Sequence, residues 1–237
     1  MKSLILYNSL TKQKEPFTPL DPTNVGLYSC GLTVYDRGHI GNFRSFLMAD
    51  LLRRVVQEVG GYPVSWVMNI TDIDDKMIIR ANDRRSDLIP IDALHHLAHE
   101  YENKLLEDLE RVGIHRSDIK ELPRATDHIV EMQAIIRHLL RDGIAYISEG
   151  SIYFSLSKYE AAGKKYGQLV NIDYDPQARI DDQDQKEGAG DFALWKKAQP
   201  DEPTWDFDIH GENIPGRPGW HIECSAMSTK YLGREFD

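Results

Sequence analysis

Val25-Gly26-Leu27-Tyr28-Ser29-Cys30-Gly31, a loop containing Gly38-His39-Ile40-Gly41-Asn42, a helical period from Ser45 to Val59, and then Val64-Ser65-Trp66-Val67-Met68 form the stretch that decides the fold. The first piece is a short strand of buried type that ends at a glycine. In the third, Phe46, Ala49, Leu52, Val56 and Val59 fall on one helical face, and Gly60-Gly61 stop the helix. Strand, glycine loop, helix and strand within about 45 residues make a βαβ unit, with parallel strands and a right-handed crossover. Ligands of such α/β sheets bind beyond the carboxyl ends of the strands. A helix N-terminus there attracts phosphate; His39 would add an imidazole donor, and Gly41 lets a nucleotide approach the backbone. Taken alone, Gly38 to Asn42 reads more simply as a capped helix start with a surface histidine.

On the amino-terminal side, Leu4 to Tyr7 and Glu15 to Thr18 flank a polar turn and predict a hairpin. On the other side, Pro90 sits at a first helical turn, and Leu94, Leu97, Tyr101, Leu105 and Leu109 keep one face apolar up to Gly113. A further helix is expected from a Thr126 cap, with Asp127 beside it, through Ile129, Met132, Ile136 and Leu140 to Gly143. Tyr146-Ile147 and Ile152-Tyr153-Phe154, around Ser148-Glu149-Gly150, predict a second hairpin. Asp173 to Asp191 reads as an exposed, mobile acidic loop, and Pro215 to Gly219 as turns. Beyond Met227 no helical cap or closing strand is evident up to Asp237, and no internal repeat is present.

At 237 residues the chain allows one large domain or two modest ones. Hydrophobic residues at 41% and charged residues at 28% are globular composition. Lys and Arg total 28 against 38 Asp and Glu, a net charge of −10, so any nucleic-acid contact must use a local patch. Two cysteines cannot build a disulfide framework. The apolar run near Met1 is too short for a signal peptide, and no run approaches the roughly 20 residues that span a bilayer. The expectation is a soluble protein of the cytoplasm with no membrane contact.

Four motifs then stand in order: Cys30-Gly31-Leu32-Thr33-Val34-Tyr35-Asp36; His39-Ile40-Gly41-Asn42; Asn69-Ile70-Thr71-Asp72-Ile73-Asp74-Asp75-Lys76; and Gly216-Arg217-Pro218-Gly219-Trp220-His221-Ile222-Glu223-Cys224-Ser225-Ala226. On these motifs the sequence closely resembles the N-terminal part of cysteinyl-tRNA synthetases, which are class I aminoacyl-tRNA synthetases, from the opening hairpin to the last residue. The resemblance implies ATP-dependent activation of L-cysteine to cysteinyl-adenylate, followed by transfer to tRNA(Cys). It also implies Mg2+ accompanying ATP, one Zn2+ per chain, and a monomer. The implied fold is a Rossmann-like catalytic domain with a parallel sheet, interrupted by a connective insertion. Residues 1–124 would be the first half of that domain, 125–215 the insertion, and 216–237 the return into it, with the C-terminal part of the family fold absent.

Position by position, His39 and Asn42 match the ends of the family's His-Ile-Gly-His element. With Gly41 they would bind ATP and stabilise charge on its α-phosphate. No general base is needed, because the attacking carboxylate is already an anion, so catalysis is positioning plus electrostatics. Cys30 and Cys224 match two zinc ligands; by spacing alone they read as two buried apolar thiols. Zinc binds thiolate well and a serine hydroxyl poorly, which would select cysteine from its oxygen isostere. Gly31, Thr33, Thr71 and Trp220 match the cysteine pocket, although Trp220 reads equally as core. The family's remaining His and Glu ligands and its Lys-Met-Ser-Lys-Ser loop lie beyond the position of Asp237. His221 and Glu223 are not ligands in the family. The chain is therefore expected to be a fragment with an incomplete zinc site and little activity.

Asp72, Asp74 and Asp75 read as capping and turn residues at a strand end, with Lys76 pairing with them or with ligand. His95 and His99 stand at metal-pair spacing but lack an evident third ligand. Two other readings compete. The ligase that joins cysteine to a glucosamine–inositol in mycothiol synthesis shares the fold, zinc and adenylate chemistry, but Thr33 to Asp36 and Cys224 to Met227 look more like the synthetase. The second is a nucleotide-binding paralogue without catalysis.

Overall fold

A computed structural model describes residues 4–169, 186–188 and 190–237. They form two compact units: residues up to Asn8, Lys12–His128 and Cys224–Asp237 in the first, Ser9–Thr11 and Ile129–Glu223 in the second.

The first unit opens with the predicted hairpin, β1 (Ile5–Asn8) against β2 (Gln13–Pro16), antiparallel with Ile5 opposite Pro16. Leu4 packs with Val25 and Val56, and Leu6, Phe17, Tyr62 and Val64 surround them, fastening the hairpin to the βαβ unit. That unit is β3 (Val25–Ser29), α1 (Ile40–Arg54) and β4 (Val64–Met68), with β3 and β4 parallel from Val25–Val64 to Ser29–Met68. Beyond β4 the chain makes two more helices, α2 (Asp75–Arg84) and α3 (Pro90–Arg111). It then returns alongside β4: the Met68 and Ile70 amides donate to the carbonyls of Glu121 and Pro123 at 3.1 and 2.8 Å. Both edges of β4 are thus paired, as an interior parallel strand requires.

Three local expectations for this unit change. The helix begins at Ile40, not Ser45, and its last turn, Val55–Val59, is a π-helix. Its buried positions are Phe43, Phe46, Asp50, Arg53 and Val56, whereas Leu52 and Val59 are 36% and 49% exposed. The stripe shifts because a charged pair occupies the inner face: Arg53 donates to Asp50 at 2.6 and 3.0 Å and meets Asp118 at 3.1 Å. Thr126 is not a helix cap. A 3-10 turn spans Ala125–His128, and the Thr126 amide and hydroxyl donate to the buried Asp72 carboxylate at 2.9 and 2.5 Å. Burial is the main cause that holds the Asp72 carboxyl above its ordinary range, and these two bonds oppose it. Finally, the chain does end in a capped helix, α6 (Trp220–Leu232), followed by Gly233 at φ 91°. Its first turn belongs to the second unit.

The α3 prediction holds. Pro90 opens the helix, where a missing N–H has no cost, and Leu94, Leu97, Tyr101, Leu105 and Leu109 are buried. Gly113 follows at φ 82°, a conformation few other residues adopt.

In the second unit, α4 (Ile129–Arg141) precedes β5 (Ala145–Ser148), β6 (Ser151–Phe154), α5 (Leu156–Ala161), β7 (Phe192–Lys197), β8 (Asp208–Ile209), β9 (Glu212–Asn213) and β10 (Gly216–Pro218). Four of the strands make an antiparallel sheet in the order β10-β7-β6-β5. The predicted hairpin is β5–β6, turning at Glu149 and Gly150 with φ 49° and 87°. Gly216 to Pro218, expected as turns, are instead a strand at the sheet edge, where proline's missing donor is tolerated. A Cβ on Gly216 would stand 2.1 Å from the Lys196 carbonyl, so glycine permits that pairing. Most of the acidic run from Asp173 lies outside the described residues. Asp191, at its end, is buried rather than exposed: it accepts from the Tyr146 hydroxyl and the Leu156 amide, both at 2.9 Å. Among the described residues no helix is long and apolar enough to cross a membrane.

Leu105 is 1% exposed and Ile79 is 63% exposed. Leu105→Ala is expected to cost about 2–5 kcal/mol of unfolding free energy, and Ile79→Ala within about 0.5 kcal/mol, as read from urea midpoints.

Candidate active site

Parallel pairing brings the carboxyl ends of β3 and β4 side by side, and the residues that follow each strand face one another. Cys30 leaves β3, and its Sγ lies 3.4 Å from Sγ of Cys224 on α6, a residue 194 positions away. Cys30 is exposed and Cys224 half-buried. Between their segments stands Asn69, 1% exposed just past the end of β4. Its Oδ1 accepts the Gly31 amide at 3.1 Å and lies 3.8 Å from the Cys224 sulfur, while its Nδ2 donates to Thr71 Oγ1 at 3.2 Å. Gly31 passes so close that a Cβ would sit 1.7 Å from the Asn69 carbonyl oxygen. Thr33 bridges Thr71 in parallel, with the Val34 amide donating to the Thr71 carbonyl and the Thr71 amide to that of Leu32. The structure therefore gathers Cys30, Gly31, Thr33, Thr71 and Cys224 at one strand end.

Two sulfurs this close resist ionising together. The bond with Cys30, then burial, pushes the Cys224 thiol well above the ordinary thiol range. A cation between them would reverse that balance, and two thiolates are half of a tetrahedral zinc shell. Among the described residues no group of three or more His, Cys, Asp or Glu is placed to hold a metal ion, and the two thiols by themselves fit zinc as half of a ligand set.

The second component is the start of α1. His39 is the N-cap: its Nδ1 accepts the amides of Gly41 and Asn42 at 3.1 and 3.4 Å, and Asn42 Oδ1 accepts the His39 amide at 3.0 Å. This reciprocal box is more than a cap. Because Nδ1 accepts, the neutral ring carries its proton on Nε2; because Oδ1 of Asn42 is engaged, its Nδ2 remains a donor. The imidazole lies over Gly41, where a Cβ would meet His39 Cε1 at 2.9 Å. No acidic side chain occupies the first turn of α1, so the positive end of the helix dipole is not offset there.

The loop joining these two components is held from outside. Asp36 pairs with Arg80 of α2 at 3.0 Å, and Arg37 Nη1 donates to both carboxylate oxygens of Asp108 on α3 at 2.8 and 2.7 Å. Lys76 stands over the Tyr35 ring, 5.7 Å from its centre. The three aspartates behave as capping and turn residues: Asp74 caps α2 through the Met77 amide at 2.7 Å, and Asp72 binds Thr126. His95 and His99 are exposed on α3, with His99 against Asn103 at 3.3 Å. Trp220 opens α6 and is 57% exposed, which removes the core-packing reading; its ring lies 5.1 Å from that of His221. Sequence reasoning gave no role to Asn69, Arg80 or Asp108. The available signals were for Asn69 alone: it opens the third motif and is a polar residue directly after the strand Val64 to Met68.

Residues 16–237 match the family of class I (C) tRNA synthetase catalytic domains. Cysteine–tRNA ligases of Brachyspira hyodysenteriae and of Rhodopseudomonas palustris CGA009 are each 44% identical to the chain, covering 100% and 99% of it and 48% and 51% of their own lengths. That of Methanococcus maripaludis C7 is 43% identical over 99% of the chain and 46% of its own length. A solved structure described as an arginyl tRNA synthetase, from Campylobacter jejuni, superposes with a TM-score of 0.52 over 91% of this chain and 46% of its own, at 14% identity, and so shares the fold. The chain spans about half the length of the curated relatives it matches, consistent with an N-terminal portion. It belongs to the class I (C) tRNA synthetase catalytic-domain family.

Proposed function

We propose that this chain supplies the amino-acid- and ATP-recognising part of an enzyme that activates L-cysteine and passes it to tRNA(Cys). The observation that carries the reading is the sulfur pair, 3.4 Å apart at the carboxyl end of a parallel strand, with Cys30 opening the loop that leads to the His39–Asn42 box and Cys224 on α6. In activation the cysteine carboxylate attacks the α-phosphorus of Mg2+-bound ATP, and the bond to the bridging oxygen breaks as pyrophosphate leaves. Nε2–H of His39 and Nδ2–H of Asn42 donate to the phosphoryl oxygens as charge grows there, and Gly41 allows close approach. The loop clamps hold these donors in place beforehand, so little reorganisation is spent during the reaction.

Cys30 and Cys224 would hold Zn2+, with the family's remaining His and Glu ligands supplied by polypeptide beyond this region. When bound, zinc supplies a thiol-selective Lewis acid that takes the substrate sulfur and not serine's oxygen. Gly31, Thr33 and Thr71 shape the pocket on one side, and Trp220 is assigned to it through the matching motif. In this reading residues 125–215 are the connective insertion. Transfer to tRNA needs the remainder of the enzyme, so this chain alone is a fragment.

Cysteine-dependent exchange of pyrophosphate into ATP tests the assignment. The chain alone is expected to show no robust exchange; robust exchange would overturn the fragment reading. In the polypeptide that carries the missing ligands, His39→Ala is expected to lower exchange by about 10²–10³ with the fold retained. There, Cys30→Ser should raise KM for cysteine far more than KM for ATP, and an equal loss of both would assign the thiol a folding role. Asn69→Ala removes two hydrogen bonds and leaves the Gly31 amide without that acceptor. The expected result is a loss of about 1–3 kcal/mol in stability together with a selective rise in KM for cysteine.

A further inference from the structure

We infer that Cys30 and Cys224 are also a redox-modification site, which a peroxide-class oxidant closes to an internal disulfide. Three observations point the same way. The sulfurs already stand 3.4 Å apart, within about 1.4 Å of the length of a disulfide bond, about 2.05 Å. Their exposure is asymmetric: Cys30 is open to solvent and Cys224 half-buried, which is the arrangement of an attacking and a resolving thiol. The chain contains two cysteines, so no other internal partner competes for either. The segments that carry them are also anchored, through Asn69, to Gly31 on one side and to the Cys224 sulfur on the other.

The step balances as follows. The Cys30 sulfur, as thiolate, attacks one oxygen of hydrogen peroxide; the O–O bond breaks, hydroxide leaves, and Cys30 becomes a sulfenic acid. The Cys224 sulfur then attacks the Cys30 sulfur, the S–O bond breaks, and the Cys224 proton leaves with the hydroxyl as water. Two thiols are oxidised by two electrons and one peroxide is reduced to two waters. A dithiol reductant reverses the change. The disulfide does not depend on the proposed function. Its consequence does: a closed pair offers zinc no thiolate, so metal and disulfide would be alternative states of one site.

The experiment treats the purified, chelator-washed chain with hydrogen peroxide and follows thiol count and intact mass. Expected is a fall from two thiols to none in a monomer that has lost two hydrogens, restored by dithiothreitol. In concentrated urea, where the long intervening chain must close a loop, bridging should be slower by about tenfold or more. Cys224→Ser should stop at a dimedone-reactive sulfenic acid on Cys30. Persistence of both thiols, disulfide-linked dimers as the main product, or sulfinic acid without an internal bridge would overturn the inference. So would bridging as fast in urea as in the folded chain. Excess Zn2+, near ten times its dissociation constant, should slow bridging about tenfold. Bridging unaffected by zinc would leave the disulfide standing and overturn the claim that metal and disulfide are alternative states of this site.

Discussion

Everything in the first unit depends on the parallel pairing of β3 with β4. An antiparallel pair would send its carboxyl ends in opposite directions. A parallel pair delivers two loops to one place, the Cys30–Thr33 segment and the Asn69–Thr71 segment. Asn69 then converts proximity into a fixed geometry, because a buried amide side chain must satisfy both of its ends. One end accepts the Gly31 amide and the other reaches Thr71, so the two loops cannot move apart without exposing a polar group to an apolar interior. The absent side chain of Gly31 is part of the same constraint, since any Cβ would collide with the backbone beyond β4.

A second economy appears at α1. His39 and Asn42 cap the helix with one half of each side chain, and the cap does not use the other half. A cap and a binding site compete for the same residues only where a side chain has a single polar atom. Imidazole and carboxamide each carry two, with opposite preferences, and the cap selects which atom remains a donor. This explains how a four-residue segment can start a helix and still keep two side-chain N–H groups that the cap does not use.

The hydrophobic pattern was enough to read the βαβ unit, the β5–β6 hairpin and α3, because those elements bury apolar side chains; the β1–β2 hairpin was legible from its polar turn, since Ile5 and Tyr7 are exposed. It failed where polar groups take inner positions. Asp50 and Arg53 form a buried ion pair inside α1 and displace its apolar stripe; Asp191 is buried because Tyr146 and Leu156 satisfy it. Helix α2 escaped notice because it is short and its cap, Asp74, stands among three aspartates, Asp72, Asp74 and Asp75, that have other readings. Motif order brought the candidate site residues into view, Asn69 among them, but not the role of Asn69, nor Arg80 or Asp108, whose roles arise from partners distant in the chain. Thr126 shows the same limit: a residue placed to cap its own helix spends its hydroxyl on Asp72 instead.

The proposed chemistry is a division of labour, with sulfur ligands that identify the amino acid beside preset donors that stabilise the phosphate. Zinc-edge X-ray absorption on the polypeptide that carries the full ligand set tests it most directly. The account predicts two sulfur neighbours at about 2.3 Å in the resting protein, a third on adding L-cysteine, and no change on adding L-serine. A shell of nitrogen and oxygen alone, or a sulfur count that L-cysteine leaves unchanged, would contradict it.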